Sequence, residues 1–447
     1  RPSGGRWKTW QGHCRPWISV QVFGNQGRSD MPASLNLGVI GNCQLTSLID
    51  ERATHVWTCF PRFDSDPIFC GLLREDPPAS QGGIFALDLH GCVRSTQRYL
   101  RNTAVLETRL YTGDGTEVRV IDFCPRFRQF GRNFHPPMLI RIVEPVAGQA
   151  VVRIRLRPQM AYGEMAAPYR MGSNHVRFDA ARGAVRLTTN ASLTAVTEER
   201  EVVLREPLTF ILGPDEPIAE SVNSLAQRFL AETVEYWTGW VRGLAIPFEW
   251  QEAVIRAAIT LKLCSFEDTG AMVAAMTTSI PEAADSGRNW DYRYCWIRDS
   301  YFTLQALNGL GATRTMEGYL RYLANVVAGV EGDWLQPVYG INGEAALTER
   351  IVTSLAGYRG MGPVRVGNQA HEQRQNDVYG AAILAATQAF FDCRLTSPGD
   401  ESTFRQLEVA GQRCIDLYDQ PDAGLWEYRG RTRVHTFSSV MCWAGVD

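Results

Sequence analysis

From about residue 35 to 220 the chain alternates apolar and polar positions with period two. In VVRIRLRP, Val152, Ile154 and Leu156 alternate with Arg153, Arg155 and Arg157, the pattern of a strand with one buried face and one wet face. Similar runs recur at 105–111, 116–123, 138–143, 184–189 and 202–212, separated by the turn sequences TGDGTE, PVAGQ and ARGA. Many short strands at this spacing predict an antiparallel β-sandwich rather than a parallel sheet. Near residue 221 the period changes. Leu225, Phe229, Leu230, Val234, Trp237 and Val241 recur at three- and four-residue steps, which predicts a helix leading out of the sheet region. Pro247 resets the chain, and helical patterns follow at about 251–266, 299–309, 315–329, 376–391, 402–418 and 435–445. The second half therefore reads as all-helical. Its connections 267–298 and 330–375 are longer than packing needs and rich in Trp, Arg and acids, so the chemistry is expected there. The expected organisation is a leader with little part in the fold over 1–30, a β-sandwich over 31–220, a helical linker over 221–248 and a helical domain over 249–447.

Composition narrows the function classes. With 447 residues, 45% of them hydrophobic, the chain can bury two cores. Lys and Arg number 45 against 48 Asp and Glu, a balance that advertises neither nucleic acid nor an acidic solvating role and suits small neutral substrates. The 11 cysteines, among them Cys43, Cys59, Cys70, Cys124, Cys264, Cys295 and Cys442, are odd in number and scattered without close pairs, as expected for buried thiols in a reducing compartment. No run approaches the ~18 apolar residues of a membrane span, so a cytoplasmic location is the default expectation. GxxxxGK[ST], HExxH and GxSxG are missing, and GVIGN at 38–42 lacks the third glycine of a dinucleotide fingerprint. With seven dispersed histidines, no metal or cofactor is expected.

The densest constellation is GRNWDYRYCWIRDSYFTLQAL, 287–307. Asp299 or Ser300 is placed to cap a helix, and Trp290, Asp291, Arg293, Trp296, Arg298 and Asp299 set stacking faces beside charged donors and acceptors. That mixture suits a sugar, whose C–H face stacks on aromatics while its hydroxyls bond to charged groups. A buried Arg298–Asp299 ion pair holding the helix start explains the same residues. DWLQPVYGINGE at 333–344 repeats the recipe with Trp334, Gln336, Tyr339 and Glu344, or is a loop packed by its own aromatics. Arg359, Arg365, Glu372, Gln375 and Asp377 gather before a helix start, where an acid is favourable in any case. Finally, DAGLWEYRGR at 422–431 sets Glu427 between a Trp and an Arg in a glycine-rich turn, as either a catalytic acid or an ordinary surface glutamate.

LGVIGNCQLTSLID, WTCFPRFDSDPIFCGLL, RNWDYRYCWIRDSYFTLQAL, PVRVGN with EQRQNDVYG, and DAGLWEYRG with SVMCW together resemble bacterial members of glycoside hydrolase family 15, the glucoamylase and trehalase group. The resemblance runs from about residue 34 to 447 in the family's order. It implies a β-sandwich, a helical linker and an (α/α)6 barrel, here incomplete. It also implies exo-acting, inverting hydrolysis of α-glucosides with release of glucose. By that resemblance Arg298 and Asp299 hold the hydroxyls of the non-reducing-end glucose, and Trp296 and Trp334 wall the pocket. Glu427 matches the general acid, with Leu425, Trp426 and Arg429 as its substrate-contacting surroundings. Fungal relatives have a second acid where this chain has Tyr428.

An acid is needed because a sugar alkoxide leaves badly; it must stay protonated near neutrality, which requires a raised pKa. Desolvation by the neighbouring Trp raises it, and Arg429, which a strand-like alternation over 425–429 points to the same side, lowers it. Inversion also needs a second carboxylate roughly 6.5 to 9.5 Å away to activate water. The family places that base after the MCW helix, and about twelve helices complete six hairpins, so these residues are expected to be the first part of a longer catalytic domain. Alone they are expected to lack normal turnover and, with apolar helix faces exposed, to self-associate. The leading expectation is a glucoamylase-like enzyme acting on α-glucan or maltooligosaccharide. A trehalase acting on trehalose is the close alternative, and a non-catalytic sugar-binding protein or a phosphorylase on the same architecture stands further off. No nucleic-acid or membrane partner is expected.

Overall fold

The structure, a computed structural model, describes residues 19–22, 33–75, 80–329 and 334–447. Alternating runs form two packed antiparallel sheets. The nine-stranded sheet runs Ser19–Val22, Cys92–Tyr99, Leu106–Thr112, Glu117–Phe123, Leu139–Ala147, Leu208–Pro214, Ala184–Thr189, His175–Asp179, Tyr169–Met171. The seven-stranded sheet runs Glu201–Val203, Val151–Arg157, Ile84–Leu89, His55–Cys59, Thr46–Ile49, Gly38–Gly41, with Pro67–Phe69 paired onto His55–Cys59. Between them lies one apolar layer, to which the first sheet contributes Val118, Val120, Leu139, Val143, Leu187 and Phe210, and the second Ile40, Phe85, Leu87, Val152 and Ile154. Most of the leader expected over 1–30 lies outside the described residues; within it, Ser19–Val22 pairs with Arg94–Gln97 at the sheet edge.

Two details of the sheet reading need correction. The arginine face of Val151–Arg157 is not simply wet. Arg155 is buried and bonded to Asp88, and Arg153 and Arg157 pair with Glu201 and Glu199. The run over 202–212 is not one strand. It breaks at Pro207, which has no N–H to give a ladder, and its halves enter different sheets. The break is tied down by Asn190, which donates to the Pro207 carbonyl and accepts from Thr209 N.

After the short helix α1 (Leu193–Thr197), α2 (Val222–Arg242) lays Leu225, Ala226 and Phe229 on the outer face of the nine-stranded sheet, against Ile121, Phe123, Ile140, Ile142 and Ile211. The helical domain follows as α3 (Gln251–Leu263), α4 (Ile297–Gly309), α5 (Thr313–Ala328), α6 (Asp377–Phe391), α7 (Glu401–Leu417) and α8 (Thr436–Val446). Helix α6 lies among α4, α5, α7 and α8. Its Gly380, Ala381, Ala382 and Ala385 are small enough for that crowding: a Cβ on Gly380 would lie 2.0 Å from the Met441 carbonyl of α8. The molecule is thus a β-rich domain followed by a helical one. No helix among the described residues is long and apolar enough to cross a membrane.

The long connections are not irregular. Thr278–Pro281 pairs with Asn289–Asp291, Cys295–Trp296 with Val338–Tyr339, and Arg350–Val352 with Val364–Val366. These small ladders fix the segments entering α4 and α6. They are bolted to the sandwich by the fully buried Arg293–Asp291 ion pair, whose guanidinium also donates to the Ser65 carbonyl at 2.9 Å and the Tyr162 hydroxyl at 3.1 Å. A buried structural ion pair is therefore present, but it belongs to Arg293 and Asp291 rather than to Arg298 and Asp299.

Candidate active site

Three segments meet around Glu427: the ladder strand Cys295–Trp296 running into α4, residues 373–376 before α6, and the turn 424–427. Helix α4 begins at Ile297 with Trp296 in the capping position and no side-chain cap. The expected caps are elsewhere. Asp299 lies in the first turn, and Ser300 is buried, donating at 3.4 Å to the Met272 carbonyl. This early start aims Arg298 at the carboxylate. The turn places Glu427 in the left-handed region, with φ of 53°, between the positive-φ residues Gly424 and Gly430.

The Glu427 carboxylate is asymmetrically held. Its Oε1 accepts from Trp296 Nε1 at 2.6 Å and from Gln375 Nε2 at 3.3 Å, and Arg298 Nη2 lies 3.7 Å away. Oε2 receives no hydrogen bond from the described residues, although the side chain is still 19% exposed. Burial pushes the Glu427 pKa above the usual carboxylate range; Arg298, Trp296 and Gln375 oppose that push without cancelling it, and Asp299 adds to it. Arg298 joins Glu427 to Asp299 at 3.2 Å, Asp377 at 3.5 Å and Gln375 Oε1 at 2.8 Å. Asp299 is half exposed, so the Arg298–Asp299 pair faces open space while its guanidinium end is buried. Such a site can hold a neutral, hydroxyl-rich ligand and deliver one proton to it.

The other expected residues divide. Trp296 touches the carboxylate directly. Leu425 and Trp426 share its turn, but Trp426 is 63% exposed, so the desolvating indole is that of Trp296. Arg429 does not reach Glu427. The segment 424–427 is a turn rather than a strand, and Arg429 instead pairs with Glu349 and stacks 4.1 Å over Trp290. Trp334 is not among the groups bonded to Glu427; its indole nitrogen is buried without a hydrogen-bond partner among the described residues. Tyr339 and Glu344 bond within their own loop, to Gln336 N and Asn342, while the stretch as a whole is tied to the helical core through the ladder with Cys295–Trp296 and bonds from Tyr322 and Thr269 to the Gly340 and Ile341 carbonyls. Arg359 donates to the Ala33 carbonyl, and Glu372 is exposed, so neither joins the site. Arg365 bonds Glu349 and stacks 4.7 Å over Trp290, lining the rim with Arg429.

The sequence reading passed over Glu349, Tyr292 and Asp422. Tyr292 packs against Trp296 with the rings tilted and their centroids 5.6 Å apart, and its hydroxyl donates to Glu282. Asp422, fully buried, accepts from Asn376 N and Ser438 Oγ, each at 2.7 Å. The period-two spacing of Gln373 and Gln375 was the available signal for an extended edge: Gln375 faces the carboxylate, and Gln373 bonds its side chain at 3.3 Å and approaches the Glu427 carbonyl at 3.4 Å.

The Glu427 carboxyl, its Trp296 and Gln375 donors and the half-open Arg298–Asp299 pair together form a candidate acid site. The chain belongs to glycosyl hydrolases family 15, whose model matches residues 250–447, behind a trehalase-like N-terminal domain matching 26–202. It is similar to a protein named trehalase from Mycolicibacterium smegmatis, 30% identical over 94% of this chain and 66% of the relative. One from Mycobacterium tuberculosis is also 30% identical, over 94% and 65%. Trehalase 1 of Sulfolobus acidocaldarius is 26% identical, over 92% and 70%. The chain thus spans about two thirds of the length of the first two relatives.

Proposed function

We propose that this chain carries the sugar pocket and general acid of an exo-acting, inverting α-glucoside hydrolase, with trehalose as the preferred substrate. The observation that carries the reading is the Glu427 carboxyl. One oxygen is held by Trp296 and Gln375, the other is without a hydrogen bond among the described residues, and burial keeps the group protonated above the ordinary range. A proton on Oε2 is then positioned for the departing glycosidic oxygen. Arg298 and Asp299 would hold hydroxyls of the terminal glucose; Trp296, expected from sequence as a pocket wall, is only 2% exposed and backs the Glu427 carboxyl instead of presenting a face to the sugar. Leu425, Trp426, Trp334 and Arg429 would act further out, Arg429 through the Trp290 and Glu349 rim rather than on the acid. The inverting step also needs a carboxylate on the far side of the sugar to activate water, and the helices are read as part of an (α/α)6 barrel; both follow from the family resemblance.

The glucoamylase-like substrate, the leading expectation from sequence, gives way to trehalose because the relatives named above are trehalases. Incubating a chain extended over the full length the named relatives span with trehalose, maltose and isomaltose separates the two. Faster glucose release from trehalose is expected, and preference for maltose would restore the glucoamylase reading. Sugar binding without any turnover by that longer chain would favour the non-catalytic alternative.

A further inference from the structure

Asp377, at the first turn of α6, has not been given a role. It is fully buried, yet neither carboxylate oxygen has a hydrogen bond of good geometry; its nearest cation is Arg298 Nη1 at 3.5 Å. The other amino group of that guanidinium, Nη2, faces Asp299 at 3.2 Å and Glu427 at 3.7 Å. One cation therefore serves three carboxylates. A second buried carboxylate stands behind Asp377: Asp422 is fixed by Asn376 N and Ser438 Oγ, and its Oδ1 is unpartnered. Beside that second carboxylate the buried Asp377 anion is costlier, and Arg298 is the cation that opposes the cost.

We propose that Asp377 is a positioning residue for the acid: by sharing Arg298 with Glu427 it withholds part of the guanidinium's charge, and so keeps Glu427 protonated at the pH of catalysis. This rests on the reading of Glu427 as the acid. The groups facing Asp377 are Arg298 from α4, Asp422 from the α7–α8 connection and Cys442 from α8. Those facing Glu427 are Arg298 and Asp299 from α4, Trp296 from the preceding ladder, Tyr292, and Gln375 from the segment before α6. Arg298 is the cation common to both sets. Burial and the neighbouring Asp422 push Asp377 up to about 6, against the pull of Arg298. Through neutral pH Asp377 is therefore the anion that competes with Glu427 for Arg298.

Replacing Asp377 by Asn removes the competitor without changing shape. In a chain extended over the relatives' full length, the basic limb of the pH profile of kcat should move to lower pH by about one unit or more, with kcat at the acid end of the profile retained. An unmoved limb overturns the proposal, whether activity is unchanged or uniformly reduced; uniform loss would mean that Asp377 only supports the helix start. A second measurement does not need that variant to fold. Carboxyl ¹³C titration of Glu427→Gln should still show a buried carboxyl titrating near pH 6, and absence of such a group also overturns it. The reading of the acid fails separately, if Glu427→Gln keeps wild-type turnover.

Discussion

The role proposed for Glu427 turns on the difference between its two oxygens, one anchored and one open. Glu427→Gln keeps the shape and removes the proton, so kcat on an α-glucoside should fall by about 10²- to 10⁴-fold with little change in thermal midpoint; steady-state kinetics beside a melting curve tests both halves. Trp296→Phe tests the anchor. The indole hydrogen bond stabilises the carboxylate and so lowers the Glu427 pKa. Without it the acid form persists to higher pH, and the basic limb of the rate profile should move up, opposite to the shift expected for Asp377→Asn. Asp377 also links stability to pH. Its carboxyl, at 3.8 when free, is raised to about 6 in the fold, so the native state binds the proton more tightly and loses stability as pH rises from about 4 to about 6. Relative to wild type, Asp377→Asn should therefore gain stability across that window, on the order of 2 kcal/mol at its upper end, measured by urea unfolding at each pH. At this scale the sequence disclosed the residue types but not their partners. Arg429 was assigned to the acid because alternation was assumed over a segment that turns; Arg298 and Trp296 supply the contacts instead.

At the level of elements, long periodic segments were legible and short ones were not. Each helix from α2 to α8 lies within a few residues of its expected span, because an apolar stripe of three or more turns leaves a clear period. The three- and four-residue strands at 278–281, 289–291, 350–352 and 364–366 leave none. They hold the site in place, which is why the long connections could be flagged as functional but not drawn. The contact between α6 and α8 shows how tightly the acid's support is built. A methyl at Gly380 would meet the Met441 carbonyl, so the two helices must part. Gly380→Ala should cost about 1 to 3 kcal/mol and, because α6 carries Asp377 and α8 carries Ser438, should also lower sugar affinity. Chemical denaturation together with calorimetric titration of trehalose measures both; a stable variant with unchanged affinity would show that the helices adapt.

Across the whole molecule, the sandwich and the helical domain are joined by buried polar groups as well as by shared apolar clusters such as Trp57, Leu73, Leu355 and Val364. Arg126 of the sandwich, fully buried, donates to the Asn42 carbonyl at 2.6 Å and pairs with Glu267; Trp57 Nε1 donates to the Met276 carbonyl at 2.8 Å. Arg293→Met would leave Asp291 buried and uncompensated, at a cost of about 3 to 5 kcal/mol, and should separate one unfolding transition into two in calorimetry. On the outer surface Phe391, Phe404, Val409, Ile415, Trp443 and Val446 are all at least half exposed on or beside α6 to α8. Apolar area of that kind favours association, so light scattering of residues 1–447 should rise with concentration. The left-handed backbone at Glu427 carries a last consequence. An L-residue with a long side chain holds that conformation at about 1 kcal/mol or more, while asparagine and glycine adopt it readily. The most durable version of this protein should therefore be an inert one, with Glu427→Asn melting higher than wild type, and a screen for heat resistance alone would select against the acid.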